Sequence, residues 1–272
     1  MILAIESSSS VCSVSLQTES GHIMDRWTDG IAEHSKKLVL YIGELLEEAS
    51  GSVEQGMRSL QKVIISNGPG SYTGLRIAGS ALRGILFNRK VELWAASTLA
   101  GIACSVFKKQ EEWSISGPLA LLGSTNPISL ADPTFLRATF VGAQLTEVVI
   151  HVVIDARGGF SYYQPFALEQ FGLQILAEPK RVANSTIVSA LHSNDKSFLV
   201  GASLPNFIQG KSNPVQVENQ ERKQFFHARN LLTLLRLPSK IGLEAVTIDR
   251  LEPYYLGNNQ VNNTHIPSPS DS

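Results

Sequence analysis

A glycine-rich loop is the clearest candidate for a chemical role in this sequence. The β-branched run Val63 to Ser66 predicts a buried strand, the loop Gly68-Pro69-Gly70-Ser71-Tyr72-Thr73-Gly74 follows it, and a helix is predicted from about Leu75 to Phe87. Free backbone N–H groups at such a helix N-terminus suit an anion such as phosphate. The same spacing suits a tight strand-to-helix turn with Thr73 as the N-cap, and both interpretations stay open. We expect Gly70 and Gly74 to take backbone conformations that other residues avoid.

Two carboxylates lie at predicted strand ends, Glu6 in the first half of the chain and Asp155 in the second. Each is able to hold a hydrated magnesium ion beside a nucleotide phosphate, or to be a solvated acid at the end of a strand. The six histidines include no pair at three- or four-residue spacing, so no metal-binding helix is predicted. No GxSxG elbow is present, and Cys12 in an alternating strand is interpreted as a small core residue.

Bulk composition excludes several classes of protein. The chain has 272 residues, of which 43% are hydrophobic and 17% charged, which is enough for a packed core. The formal net charge of -1 argues against a protein that holds nucleic acid by itself. Two cysteines make no disulfide framework. Neither a signal peptide nor an apolar run of about 20 residues is found, so a soluble cytoplasmic protein is expected.

The elements that position these residues predict an α/β protein of two lobes. Residues 1–107 begin with a short strand, a serine turn and a hairpin strand, and continue as alternating helices and strands, which predicts a lobe with a mixed sheet. Residues 108–148 have no consistent period and are interpreted as a linker or insertion that the core fold does not need. Residues 149–256 predict a second lobe, and residues 257–272 a disordered tail.

Two helices of the first lobe carry more apolar residues than one buried stripe requires. The first is predicted over residues 34–49 and the second follows the glycine loop. They are interpreted either as a partner site or as a layer between two parts of the fold. The candidate contacts, some of which will be core, are Leu38, Ile42, Leu45 and Leu46 on the first helix and Ile77, Ala78, Ala81 and Leu82 on the second.

Several of these motifs together resemble the TsaB (YeaZ) family. The resemblance is close over residues 1–107 and loose beyond, and the glycine loop with Thr73, Gly74 and Arg76 is specific to this family and its catalytic relative TsaD. The matching segments are Ile2 to Ser8, Cys12 to Leu16, His34-Ser35, Gly68 to Ile77, Ser97 to Leu99, Asp155 to Arg157 and Pro253 to Leu256. The 108–148 insertion departs from the family pattern.

The resemblance implies an actin-like, sugar-kinase-like ATPase (RNase H-like) fold with two lobes of mixed sheets, the second reduced. TsaD binds its metal through two histidines four residues apart, whereas the equivalent stretch Ser97 to Ile102 here has none, so no metal is expected. The resemblance therefore implies a non-catalytic partner of TsaD in threonylcarbamoyl transfer to the adenosine next to the anticodon of tRNAs reading ANN codons. It implies TsaE as a further partner, a homodimer when TsaD is absent, and tRNA contact only through the complex.

Two other functions stay open at this stage. One is a free-standing small-molecule kinase of the same superfamily, for which Asp155 with Gly158 and Gly159 offers a thin second phosphate loop. The other is a self-associating regulator that uses the helix pair. No cofactor of the chain's own is expected, and ATP or ADP at the interface with TsaD is left open.

Overall fold

A six-stranded mixed sheet forms the first half of the molecule. The computed structural model describes residues 1–30, 33–107, 149–169, 172–191, 197–202 and 225–256. The elements of the first half are β1 (Ile2–Glu6), β2 (Val11–Gln17), β3 (Ile23–Asp29), α1 (His34–Ser50), α2 (Val53–Ser59), β4 (Lys62–Gly68), α3 (Tyr72–Ile85), β5 (Glu92–Ser97) and α4 (Thr98–Ala103), followed by a 3₁₀ turn over Cys104–Phe107. β1, β2 and β3 pair antiparallel, whereas β1, β4 and β5 pair parallel.

The second half contains a five-stranded sheet and returns to the first. Its elements are β6 (Val149–Asp155), β7 (Phe160–Glu169), β8 (Gly172–Ile175), β9 (Lys180–Ala183), α5 (Asn184–Leu191), β10 (Ser197–Ala202), α6 (Ala228–Arg236) and β11 (Leu243–Val246), followed by a 3₁₀ turn over Ile248–Arg250. β6 pairs antiparallel with β7 and parallel with β10, while β8 and β9 both pair with β7. The described fold is thus the expected pair of mixed sheets, the second smaller.

Helices separate the two sheets and cover their outer faces. α4 and α6 lie between the sheets, where their apolar residues join one core with Ala4 and Ile64 of the first sheet and Val152 of the second. α1 and α3 cover the opposite face of the first sheet, over Leu3 and Ile5. β1 is therefore buried on both faces, which agrees with its continuous apolar sequence.

The last described segment belongs to the first lobe, contrary to the predicted boundary. β11 pairs antiparallel with β5, and Leu251 is buried in the core beneath α1 and α3. The edge of β5 would otherwise present unpaired backbone groups, and β11 covers them. Residues 243–251 were predicted to be part of the 149–256 lobe, and that part of the prediction is wrong.

Helix α6 also links the two halves, and it begins at Ala228. His227 precedes the helix with extended dihedral angles, φ -110° and ψ 130°, and its side chain accepts a hydrogen bond from Arg229 N at 3.1 Å, which caps the helix. Ala228 N donates to Ser13 Oγ of β2 at 3.1 Å, and the Arg229 guanidinium pairs with Asp25 of β3. The predictions for residues 108–148 and 257–272 lie outside the described residues. No helix in the described ranges combines the length and apolarity needed to cross a membrane.

Candidate functional site

The glycine-rich loop connects β4 to α3 and packs against the serine turn between β1 and β2. α3 begins at Tyr72, and the Ser71 side chain caps it by accepting a hydrogen bond from Gly74 N at 3.2 Å. The predicted cap, Thr73, lies inside the first turn instead. Ser71 takes the cap because it is the residue that keeps extended dihedral angles, φ -61° and ψ 113°.

Two glycines in this loop are required by space and not by backbone angle. A Cβ atom at Gly70 would collide with the backbone oxygen of Ser8, and one at Gly74 with the backbone oxygen of Ser7. Neither residue has a positive φ, whereas Gly68 does, at 108°. The expectation that Gly70 and Gly74 take unusual conformations is therefore wrong. They are glycines because a distant segment approaches their Cα atoms closely.

Hydrogen bonds fix the loop to the serine turn. Ser71 N donates to Ser8 O at 2.6 Å, and Ser7 Oγ donates to Gly74 O at 3.1 Å. Ser7 N in turn donates to Ser66 Oγ at 3.2 Å. Several polar groups of the turn and of the loop thus satisfy each other, which makes this loop a structural joint of the first lobe.

Glu6 is the buried anchor of that joint. Its side chain is 2% exposed, and Oε1 accepts hydrogen bonds of 2.6 Å from both Ser8 N and Ser8 Oγ. Burial raises the pKa of the Glu6 carboxyl above its usual range, and hydrogen bonds from Ser8, Ser66 and Ser7 oppose that rise. The interpretation as a solvated strand-end acid is therefore wrong, and one carboxylate oxygen is already committed to the protein's own backbone.

The other candidate reactive groups of the first half are enclosed. Burial, together with the charge of Glu6, raises the pKa of Cys12 to about 12, and the side chain is fully buried. Cys104 is equally buried, and burial raises the pKa of its thiol. Neither thiol is in a state to act as a nucleophile, so the prediction of Cys12 as a core residue is confirmed.

Asp155 ends β6 at an exposed hairpin of the second sheet. Its Oδ1 accepts a hydrogen bond from Arg157 N at 3.0 Å. Arg157, Gly158 and Gly159 follow with φ values of 62°, 63° and 78° and lead directly into β7. The aspartate therefore stabilises a strand-to-strand turn. The segment leads into a strand and not into a helix, so it does not offer the anion site of a helix N-terminus.

Aromatic residues of the C-terminal segment cover the start of α3. Tyr254 N donates to Asn67 O at 2.7 Å, and the Tyr255 ring lies 5.1 Å from that of Tyr72. The guanidinium carbon of Arg76 lies 4.3 Å from the centre of the same Tyr72 ring. Arg76 is thus held at the surface beside the glycine loop by a cation–π contact.

A shallow groove of about 370 Å³ lies between α1 and α3 on the outer face of the first lobe. Most of the predicted contact residues are not available to a partner, because they are at most 2% exposed and pack beneath the two helices. These core residues are Leu38, Ile42, Leu45, Leu46, Ala78 and Leu82. Ile77 and Ala81 are partly buried and line the groove, with Leu38 at its floor.

The exposed apolar residues of this surface are ones that helical spacing did not single out. Val39 lines the groove and is 52% exposed, and its neighbour Leu40 is 48% exposed. Both belong to the run of five apolar residues from Leu38 to Ile42. That run was the available signal, because consecutive residues are about 100° apart on a helix and cannot all face one core.

Within the described residues, no three His, Cys, Asp or Glu side chains cluster in a way that could hold a metal ion. The stretch Ser97 to Ile102, which was compared with the metal-binding stretch of TsaD, forms the start of α4. Ser97 caps that helix by accepting a hydrogen bond from Ala100 N at 3.3 Å, and Thr98 to Ile102 are buried between the sheets. This segment has a packing role.

The two mixed sheets, the helices between and outside them, and the glycine loop fit the actin-like, RNase H-like ATPase fold. A family model described as TsaD, tRNA N6-adenosine threonylcarbamoyltransferase, matches residues 28–126. Curated relatives named "tRNA threonylcarbamoyladenosine biosynthesis protein TsaB" are also similar. The protein from Haemophilus influenzae is 24% identical over 94% of this chain and 93% of its own length. That from Buchnera aphidicola is 29% identical over 41% of this chain and 48% of its own.

The structure agrees with these similarities. YeaZ from Pseudomonas aeruginosa superimposes with a TM-score of 0.65 at 21% identity, covering 94% of this chain and 99% of that one. The family-model match, the relatives named TsaB and the fold shared with YeaZ thus all show similarity to proteins of the TsaB/YeaZ family.

Proposed function

We propose that this chain acts in the biosynthesis of threonylcarbamoyladenosine in tRNA, as a non-catalytic partner of a TsaD-type transferase. In this role it is required for threonylcarbamoyl transfer to the adenosine next to the anticodon in tRNAs that read ANN codons. The names of the full-length relative from Haemophilus influenzae and of the matching family model support the pathway. The observation that carries the partner role is the exposed apolar surface of the α1–α3 groove.

A non-catalytic role agrees with the state of the candidate reactive groups. Glu6 is buried and hydrogen-bonded to the serine turn, and Cys12 and Cys104 are buried thiols with raised pKa values. Asp155 is engaged with the backbone of its own hairpin. Catalysis by general acid–base or nucleophilic chemistry requires such groups to be within reach of a substrate, and the buried Glu6, Cys12 and Cys104 are not.

The glycine loop supports a structural role over nucleotide binding by this chain alone. Ser7 and Ser8 contact Gly74 and Gly70 at the places where a Cβ atom would stand, so the space in front of the loop is already filled. We propose that the chain has no cofactor of its own. Any ATP or ADP is held at the interface with the TsaD-type partner.

The α1–α3 groove suits a helical partner. Val39 and Leu40 project from α1, and Ile77 and Ala81 provide a narrow apolar surface on α3, so a helix of the partner can lie along the groove. We propose that the transferase binds here, that a second copy of this chain occupies the same surface when the transferase is absent, and that a TsaE-type ATPase joins the complex. The site of action is the cytoplasm.

Reconstitution with purified components tests this function. This chain, a TsaD-type transferase and a TsaE-type ATPase from one source are combined with a threonylcarbamoyl donor and an unmodified tRNA that reads ANN codons. We expect a complex of this chain with the transferase, tRNA modification only when both are present, and no turnover by this chain alone. ATP hydrolysis or phosphorylation of a small molecule by the isolated chain would favour the kinase alternative. The similarities to known proteins do not favour that alternative.

A further inference from the structure

The turn that follows α3 exposes an aromatic ring between cationic side chains. Phe87 is 80% exposed, more than any other large hydrophobic side chain in the described ranges. Leu86 before it packs into the core, and Asn88 after it has a φ of 55°, so the chain reverses direction with the phenyl ring outside. Arg89 and Lys90 follow, and both are exposed. We call residues 87–90 the α3 tip.

The cations of the α3 tip are not neutralised by neighbouring acids. Neither Arg89 nor Lys90 has a carboxylate partner in the part of the chain that the structure describes. The acid that follows the tip in sequence, Glu92, is already bound by Lys62 at 2.8 Å and by the Trp94 indole at 2.7 Å.

The surroundings add no net negative charge. One turn earlier on α3, the Arg83 guanidinium donates to the backbone oxygen of Leu251 at 2.7 Å, so its charge is also not balanced by a carboxylate. The 3₁₀ turn that packs against α3 brings Asp249 and Arg250, whose charges offset each other. The tip is therefore locally positive on a chain whose net charge is -1.

Packing and helix stability explain only part of this arrangement. Cations after a helix C-terminus interact favourably with the helix dipole, which gives Arg89 and Lys90 a structural use. An exposed phenyl ring gains nothing from that dipole. A protein partner is a poorer match, because protein interfaces are depleted in lysine and bury broad patches, whereas here a single ring projects between charges. RNA offers both complements, phosphates for the cations and unpaired bases for the ring.

We propose that the α3 tip is a direct tRNA contact, in which Phe87 stacks on an unpaired base while Arg89 and Lys90 neutralise phosphates. This inference rests on the proposed function and makes the expected contact of tRNA with the complex specific, because it places part of that contact on this chain. On α3 the groove reaches from Arg76 to Ala81, in the middle of the helix, and the tip follows the last turn. At about 1.5 Å per residue, the end of the helix at Ile85 lies about 6 Å along the axis beyond Ala81, so the groove and the tip are neighbouring surfaces of one helix.

The experiment measures binding of an unmodified tRNA transcript that reads ANN codons to the complex of this chain with the TsaD-type transferase. Two variants change the tip, Phe87→Ala and the double variant Arg89→Ala with Lys90→Ala. Two controls remove similar groups from the second lobe, Phe160→Ala, which is 36% exposed, and Lys180→Ala, which is also exposed. Melting temperature and affinity for the transferase are measured for every variant.

We expect Phe87→Ala to weaken tRNA binding by roughly 5- to 150-fold, the usual range for loss of a stacked base. The double variant should lower the slope of log affinity against log salt by about 0.7 to 0.9 for each phosphate that is no longer neutralised. The controls should retain wild-type affinity and slope.

Two results would overturn the inference while leaving the proposed function intact. In the first, both tip variants bind the transferase and bind tRNA with wild-type affinity and salt dependence. In the second, the tip variants fold but fail to bind the transferase, which identifies the tip as a protein contact. If the wild-type complex does not form or does not bind tRNA, the proposed function fails and the inference fails with it.

Discussion

The exposed position of Val39 on α1 makes it the most direct test of the partner surface. Its side chain is 52% exposed, so about half of its surface remains to be buried by a partner in the α1–α3 groove. Complete burial of a valine contributes about 1.5–3 kcal/mol, so the remaining half is worth roughly 1 kcal/mol. Val39→Ala should therefore weaken binding to the transferase about fivefold. Val39→Asp should weaken it by ~100-fold or more, because it places a carboxylate without a counter-ion in the interface.

Both substitutions should leave the isolated chain folded. The position is half-exposed, and valine and aspartate have similar intrinsic helix propensities, so the melting temperature should stay near that of the wild type. Isothermal titration of each variant with the purified transferase gives the affinity, and the reconstituted modification assay should lose activity in proportion.

Val53→Asp is the matched control. Val53 is 44% exposed at the start of α2 and does not line the groove, so the same substitution there should leave binding unchanged. The reasoning is refuted if well-folded Val39→Asp binds the transferase as tightly as the wild type. It is also refuted if Val53→Asp weakens binding equally, because the effect would then come from charge in general and not from this surface.

Three further predictions concern the joint between the glycine loop and the serine turn, and the C-terminal segment. Gly74→Ala should lower the free energy of unfolding by several kcal/mol in chemical denaturation, because the added Cβ meets a backbone oxygen, whereas Gly79→Ala, with open space at its Cβ, should stabilise by roughly 0.5–1 kcal/mol. The pKa of Glu6 is raised in the folded state, so the free energy of unfolding should fall as the pH rises from the ordinary carboxyl pKa of 4.5 towards the folded pKa. Glu6→Gln should flatten that part of the curve of stability against pH. An unchanged curve would contradict this prediction. Leu251→Ala, at a site 3% exposed, should cost about 2–5 kcal/mol, while Leu176→Ala, at a site 47% exposed, should cost much less, and equal melting temperatures for the two would refute the packing of the C-terminal segment on the first lobe.

The sequence predicted the elements that are defined by local patterns. The helix at His34–Ser50 and the strand at Lys62–Gly68 lie close to the predicted ranges, because periodic apolar residues and turn residues mark them. The strand Val149–Asp155 ends at Asp155, as predicted. α2, β8, β9, α5 and β11 were not predicted. The strands among them have only 4 residues each, too few for a period to be visible. β11 also forms only because the distant strand β5 offers an open edge.

The sequence indicated that α1 carries an apolar surface for a partner, but not which residues of α1 form it. A run of apolar residues from Leu38 to Ile42 shows that α1 has too many for one face. Which of them face the sheet depends on the rotation of the helix about its axis, and contacts with α2, β2, β3 and α3 fix that rotation. Most of the contact residues predicted from helical spacing therefore proved to be core residues. The exposed Val39 and Leu40 lie next to them in the sequence.

The glycine loop shows the same limit for backbone geometry. Its glycines indicate a close approach or an unusual φ, and the sequence cannot distinguish the two, because the segment that approaches Gly74 is Ser7, which lies 67 residues earlier. Glu6 follows from the same contact. A glutamate before a run of serines has the local pattern of an exposed strand end, yet the loop that packs on this turn encloses its carboxyl group.

The features that make this loop a joint are thus long-range contacts, and substitutions at either segment should be coupled. A double-mutant cycle between Gly74→Ala and Ser7→Gly, which leaves the Ser7 backbone oxygen in place but allows it to move, should show a smaller combined loss of stability than the sum of the single losses, whereas strict additivity would show that the two segments are independent.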